Sequence, residues 1–220
     1  MISVTNISKI YSRGAVAVRA LSNVSVSFDR GEFVAITGPS GSGKSSLLNI
    51  IGLSDSPDAG VVDLGRGPVD FSDERSILAH RREVIGYVFQ AFNLIAALTA
   101  RENVAVSLLL QGRAYSEALR ESDSILERLG LGGRGRHLPH ELSGGEMQRT
   151  AIARAIIHRP AVLIADEPTG NLDSANGEGV LAILRGLAAE GCTVIMATHS
   201  SRAIEVCDRV VTLRDGRIEG

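Results

Sequence analysis

The chain has 220 residues, 44% hydrophobic and 22% charged, with a formal net charge of −2, which fits one domain with a sizeable core and is far from the composition of disorder. The near balance of charge gives no reason for a polyanion partner, so no nucleic acid is expected. Cys192 and Cys207 stand outside any metal-ligand spacing, which removes a disulfide framework or structural zinc and fits a reducing cytosol, and no run approaches the roughly 20 apolar residues that cross a bilayer.

Over the first thirty residues Val24, Val26 and Phe28 alternate with Ser25 and Ser27, the pattern of a half-exposed antiparallel sheet, which Val61 to Leu64 is expected to join. The runs Glu32 to Thr37, Val84 to Phe89, Ala161 to Ala165, Thr193 to Ala197 and Arg209 to Leu213 are apolar without alternation. They predict strands covered on both faces, hence a parallel sheet flanked by helices. From Thr99 to Leu129 the pattern is helical, until Gly130-Leu131-Gly132-Gly133-Arg134-Gly135 breaks it. That break is too short and too poor in aromatics for an RNA-binding segment and is read as a loop. The expected fold is α/β, with one domain over 1–220. It has a β region at about 1–30 and 60–70, a core at about 31–90 and 144–220, and a helical insertion at about 91–143.

Three motifs carry chemistry. Gly38-Pro39-Ser40-Gly41-Ser42-Gly43-Lys44-Ser45 matches G-x-x-x-x-G-K-[ST], between an apolar strand and the helical run that Ser46 opens. Its glycines allow backbone N–H groups to face an anion, Lys44 would reach the β/γ-phosphates, and Ser45 would offer an oxygen to Mg²⁺. Since Lys9 and Lys44 are the only lysines among 23 basic residues, a lysine here is not a random basic choice. Asp166 and Glu167 end an apolar strand, where ligands of an open α/β sheet bind. Asp166 is placed to hold Mg²⁺ and Glu167 to polarise an attacking water. In Leu142-Ser143-Gly144-Gly145-Glu146, Ser143 and Glu146 read as a capping box, yet two glycines in a first helical turn cost stability and suggest a second anion site.

Taken together, Gly38 to Ser45, Leu142 to Glu146 and Asp166-Glu167 resemble the Walker A, signature and Walker B motifs of the ABC ATPase family, in order and interval. The resemblance implies a P-loop NTPase core of RecA-like type, with ATP and Mg²⁺ as ligands. It implies that Gln90 resembles the Q-loop glutamine that contacts Mg²⁺ and the water. Asp173 resembles the D-loop acid, His199 the switch histidine at the γ-phosphate, and Tyr11 the aromatic that stacks on adenine. His80, His137, His140 and His158 have no such support and are read as structural.

The stretches Asn49 to Leu53, Gly86 to Gln90, Glu102-Asn103-Val104 and Glu167 to Asp173 look like the branch of macrolide-export, lipoprotein-release and cell-division ATPases. The family resemblance implies a homodimer, with ATP held between the Walker A surface of one copy and Ser143, Gly144 and Gly145 of the other. It further implies an integral membrane permease as partner and a cytoplasmic place on the inner face of the membrane. An importer subunit for amino acids or similar solutes is the alternative. The apolar segment Ala91 to Leu98 is the expected docking surface for the permease.

Overall fold

The computed structural model describes residues 1–13 and 16–219. Its centre is a six-stranded sheet made of β3 (Phe33–Thr37), β5 (Ile85–Val88), β6 (Val162–Asp166), β7 (Thr193–Ala197), β8 (Arg209–Arg214) and β9 (Arg217–Ile218), in the order β5-β6-β7-β3-β8-β9. The first five are parallel, and β9 closes an antiparallel hairpin with β8. Side chains alternate between the two faces, and both faces are covered over β3, β5, β6 and β7. Val34, Ile36, Val162, Ile164 and Ile195 pack into one apolar cluster, while Phe33, Leu163, Val194 and Met196 pack into the other. This double burial is why these strands show no polar alternation in the sequence.

The first cluster is roofed by α1 (Lys44–Ile51) and by a three-stranded antiparallel sheet. That sheet has the order β2-β1-β4, from β1 (Ile2–Arg13), β2 (Val16–Phe28) and β4 (Ala59–Asp63). Val24 and Phe28 point into the core as the alternation predicts. Register shifts interrupt the β1–β2 pairing between Val4 and Ile10, and β4 begins two residues before the expected Val61.

The second cluster is covered by α5 (Gly144–Ile156), α6 (Ser174–Ala189) and the helical insertion. The stretch predicted as helical from Thr99 is two helices, α3 (Ala100–Leu109) and α4 (Tyr115–Arg128), separated at Gly112, whose φ of +83° no helix interior takes. A further helix, α2 (Glu74–Glu83), was not predicted. It buries none of its residues, so no apolar stripe marks it in the sequence. A short α7 (Ser201–Glu205) follows β7. Both cysteines are free. Among the described residues no helix is long and apolar enough to cross a membrane.

Candidate functional site

Parallel pairing brings the carboxyl ends of β5, β6, β7 and β3 side by side, with Asp166 opposite Ala197 and Ile36 opposite Ala197. The segments leaving those ends carry the phosphate loop, Gln90, Asp166-Glu167 and His199. The strand order therefore gathers on one rim residues as far apart in the chain as Gly38 and His199.

The loop from Gly38 to Gly43 turns β3 into α1. Gly38 takes a φ of +142°, and a Cβ there would lie 2.0 Å from the Leu213 carbonyl oxygen, so only glycine fits. Helix α1 starts at Lys44 with Gly43 as a left-handed cap, no side-chain cap and no acidic residue in its first turn. Its amino-terminal N–H groups are thus not claimed by a side chain of the helix. The Lys44 ammonium donates to the carbonyls of Gly38 at 2.8 Å and Pro39 at 3.0 Å. The Ser42 hydroxyl is buried without a hydrogen-bond partner.

Asp166 lies beside Ser45, Glu167 and Lys44. Burial, with the neighbouring Glu167 charge, raises its carboxyl above the ordinary range, against the lowering effect of the Ser45 hydroxyl and the Lys44 charge. Next to it, Glu167 has a left-handed φ of 46°, a strained conformation for a branched-free but non-glycine residue, costing on the order of 1 kcal/mol or more. Its N–H donates to the Ala197 carbonyl at 3.0 Å, and its Oε1 is 3.1 Å from Nδ1 of the exposed His199. Gln90 ends over the same spot: a Cβ on Gly170 would lie 3.0 Å from Gln90 Nε2 and 3.5 Å from Glu167 Oε2. The Asn171 amide donates to the Gln90 carbonyl at 2.9 Å, anchoring that segment.

The second glycine-rich helix start is built differently. Ser143 and Glu146 form the capping box read from the sequence, with Ser143 N–H donating to Glu146 Oε2 at 2.8 Å and Glu146 N–H to Ser143 Oγ at 3.3 Å. Arg134, from the glycine-arginine loop, donates to Glu146 Oε1 at 2.7 Å. The Ser143 N–H bond, with Arg134 adding to it, holds the Glu146 carboxyl down at about 2 despite some desolvation. Gly145 touches α6: a Cβ there would lie 2.1 Å from Asn176 Oδ1, whereas Gly144 has room. Asp173 caps α6, accepting from Asn176 N–H at 2.9 Å and from its side-chain amide at 2.8 Å. Ser143, Gly144, Gly145 and Asp173 are thereby brought together. Among the described residues no hydrogen bond joins them to the phosphate loop.

Tyr11, on β1, reaches the start of α1. Its hydroxyl donates to Asp55 Oδ2 at 2.7 Å and lies near Ser46, while the residue stays 37% exposed. Residues that sequence reasoning did not single out complete the site. Asp55 and Asn176 hold Tyr11 and Asp173, and Arg154 donates to the carbonyls of Phe92 at 2.9 Å and Asn93 at 2.5 Å. None of them stands in a motif of fixed spacing, so their partners could be known only from the fold.

A family model described as ABC transporter matches residues 21–170. The chain is 46% identical over 220 residues to an uncharacterized ABC transporter ATP-binding protein of Methanocaldococcus jannaschii, covering 99% of this chain and 97% of that one. It belongs to the ABC transporter ATP-binding family. This cassette is also 44% identical over 218 residues to the macrolide export ATP-binding/permease protein MacB of Rhodospirillum rubrum, of which it spans about a third, 34%. Among solved structures it superimposes with a TM-score of 0.92 on the ATP-binding cassette MJ0796 in a dimeric, post-hydrolysis state bound to ADP and Pi. The identity there is 39%, over 100% of this chain and 97% of that one. A second dimeric structure of MJ0796 gives the same score at 41% identity.

The cassette is therefore an ATPase domain of the P-loop type, and its residues fit the ligands that this implies. The orphaned Ser42 hydroxyl and the uncapped start of α1 suit a polyphosphate. For Mg²⁺ the donors beside Asp166 are hard oxygens, and a buried carboxyl raised by desolvation is what a divalent cation relieves. Among the described residues no group of three or more His, Cys, Asp or Glu could form a metal cage.

Proposed function

We propose that this cassette works as a nucleotide-sandwich homodimer that hydrolyses ATP and drives a separate integral membrane permease of the export or force-transmitting branch, from the cytoplasmic face of the membrane. The observation that carries it is the gathering of Lys44, Ser45, Asp166 and the Glu167–His199 pair on one rim of the parallel sheet. The dimeric MJ0796 structures support the pairing, and the MacB relatives support export.

The loop N–H groups from Gly38 to Ser45, with Pro39, Ser40, Gly41, Ser42 and Gly43 forming its wall, hold the phosphates, Ser46 continues the first turn, and Tyr11 stacks on the base. Lys44 exchanges its bonds to the Gly38 and Pro39 carbonyls for β- and γ-phosphate oxygens. Ser45, Gln90 and Asp166 would hold Mg²⁺, which when bound neutralises charge on the β- and γ-oxygens. Glu167 receives the proton side of the attacking water, and His199, at 3.1 Å, holds that carboxylate and meets the γ-phosphate. The water oxygen bonds to γ-phosphorus as the β–γ bridging bond breaks, and its electron pair leaves with ADP. Ser143, Gly144 and Gly145 of the second copy stabilise charge on the γ-phosphoryl group, with Asp173 at the dimer seam. Glu167→Gln should cut turnover about 10²-fold or more while ATP binding persists. An unchanged turnover number would remove Glu167 from this role.

The permease docks beside Gln90. Phe92 and Leu94 are half-buried, but Ile95 is 46% exposed with Ala96 and Ala97. Arg154 links this segment to a cavity of about 550 Å³ lined by Leu78, Tyr87, Val106 and Leu110 with Arg81 and Arg82. Ile95→Glu should abolish stimulation by the permease and spare basal ATPase, as an exposed site allows. Equal loss of both activities would sink this docking surface.

A further inference from the structure

Lys9 is one of only two lysines in the chain, and the phosphate chemistry uses the other. It lies on β1 two residues before Tyr11, only 8% exposed. A buried ammonium costs free energy unless it is paired and hydrogen-bonded. Here its Nζ donates to Asp55 Oδ1 at 2.7 Å and to the Ser56 carbonyl at 2.6 Å, and it sits 5.2 Å from the centroid of the Tyr11 ring. The other oxygen of Asp55 accepts from the Tyr11 hydroxyl at 2.7 Å. One carboxylate thus ties the lysine to the tyrosine, and the segment after α1 to the strand β1.

The neighbouring bonds aim the same way. Ser56 N–H donates to Asp55 Oδ1 at 2.8 Å, and Asp58 Oδ2 accepts from the Ile10 N–H at 2.6 Å, so 55–58 is fastened to β1 at several points. The β1–β2 ladder pairs Tyr11 with Val18, but only after it has slipped on the core side of the tyrosine. Its register shifts between Ile7 and Lys9 and again between Lys9 and Ile10, just before the tyrosine. Burial would push the Asp55 carboxyl up, but the bonds from Lys9, Tyr11 and Ser56 bring it below the ordinary range, which keeps it a double acceptor.

We propose that Lys9 and Asp55 are positioning residues for the nucleotide base: they clamp the Tyr11 ring by its hydroxyl and by one face, and leave the other face as a fixed stacking platform. This rests on the reading of Tyr11 as the base-contacting aromatic. A ring held in place before the base arrives loses less freedom on binding, so the clamp lowers the KM for ATP without entering the chemical step. Stacking reads no hydrogen-bonding edge, so the effect is the same for ATP and GTP.

The test is steady-state ATPase of the full chain, with KM and kcat for both nucleotides. Tyr11→Ala should raise KM about tenfold or more, the usual scale for a lost stacking platform. Tyr11→Phe and Asp55→Asn should each raise it about threefold with kcat nearly unchanged, the first losing the hydroxyl of the link and the second the carboxylate that accepts from it. The double variant should also stand near threefold, because both changes break the same link. If the double variant reaches about ninefold, Asp55 does not act through the Tyr11 hydroxyl and the clamp is overturned. It is equally overturned if Tyr11→Phe leaves KM unchanged while Tyr11→Ala raises it, an outcome that leaves the base contact standing. If Tyr11→Ala itself leaves KM unchanged, the base contact fails and the clamp with it. Should Asp55→Asn fail to fold, Tyr11→Phe removes only a hydroxyl and decides the matter alone.

Discussion

Two helices of this cassette begin in glycine-rich segments, and they satisfy their first turns in opposite ways. Helix α1 has a left-handed Gly43 as its cap, no capping side chain and no acid in its first turn. Helix α5 has a complete Ser143–Glu146 capping box, with Glu146 braced by Arg134. An uncapped start asks for an anion from outside, which is what a nucleotide supplies. A start already capped has fewer N–H groups left for one, and at least one of its glycines has a cause inside the fold. Gly145 is glycine because α6 comes within contact of it, and Gly144 has no such constraint. The comparison separates a glycine kept for packing from one free to serve a ligand.

The largest expected effects break the two starts one at a time. Lys44→Ala should lower ATPase at least about 10²-fold, the scale of losing one preorganised donor to a developing oxyanion. Gly144→Asp should be as inactive while remaining folded, since an acid in the first turn of a helix and the loss of a helical glycine both favour the helix. Its carboxylate would repel a phosphate. If each nucleotide is shared between two copies, mixing the two inactive variants rebuilds one intact site in each mixed dimer. Random pairing makes half of the dimers mixed, with half of their sites intact, so about a quarter of the unmodified activity should return if the sites fire independently. Mixed dimers that form with ATP and still show no activity would mean strict coupling between sites. No ATP-dependent dimer of any composition would end the shared-site reading.

A smaller effect tests the packing side. Gly145→Ala places a Cβ 2.1 Å from Asn176 Oδ1 and should cost about 1–3 kcal/mol of stability, read as a lowered thermal midpoint. Adding Asn176→Ala removes the amide and leaves the Asn176 Cβ, at 3.1 Å, as the nearest atom. Most of the loss should then be recovered. No recovery would mean that Gly145 is needed for its backbone rather than for its closeness to α6.

What the sequence made legible follows the same division. The strands Phe33–Thr37, Ile85–Val88, Val162–Asp166 and Thr193–Ala197 were readable to within about one residue, because burial on both faces leaves unbroken apolar runs. The Ser143–Glu146 box was readable because it is local, three residues apart. Helix α2 was not, because none of its residues is fully buried and only Ile77 packs against the core. It stands on the Asp73 cap, which accepts from Arg75 N–H, and on the Arg66–Glu83 pair. The partners of Tyr11 and Gly145 were also hidden. Asp55 lies 44 residues from Tyr11 and Asn176 lies 31 from Gly145, and only the packing of β1 on the segment after α1, and of α5 on α6, brings them together. Motif spacing reports contacts made within one turn or loop. Contacts between elements need the fold.

The smallest effect concerns the charge in the α5 cap. Glu146 has its carboxyl held at about 2, from an ordinary value of 4.5, chiefly by the Ser143 N–H and further by Arg134. A depressed folded value means that the ionised form is the one the fold favours. Its contribution is complete above about pH 4.5 and disappears as pH falls through about 2. Glu146→Gln keeps an oxygen that can accept from Ser143 N–H, as capping boxes with glutamine do, but loses the ion pair with Arg134. The variant should be less stable at neutral pH by under about 1 kcal/mol, the ceiling for a solvent-screened pair. The gap should close as pH is lowered from about 4.5 toward 2, because the unmodified protein then loses the same charge. Denaturant midpoints measured across that range check it, and a gap that stays constant with pH would show that shape, not charge, is what Glu146 brings to the cap.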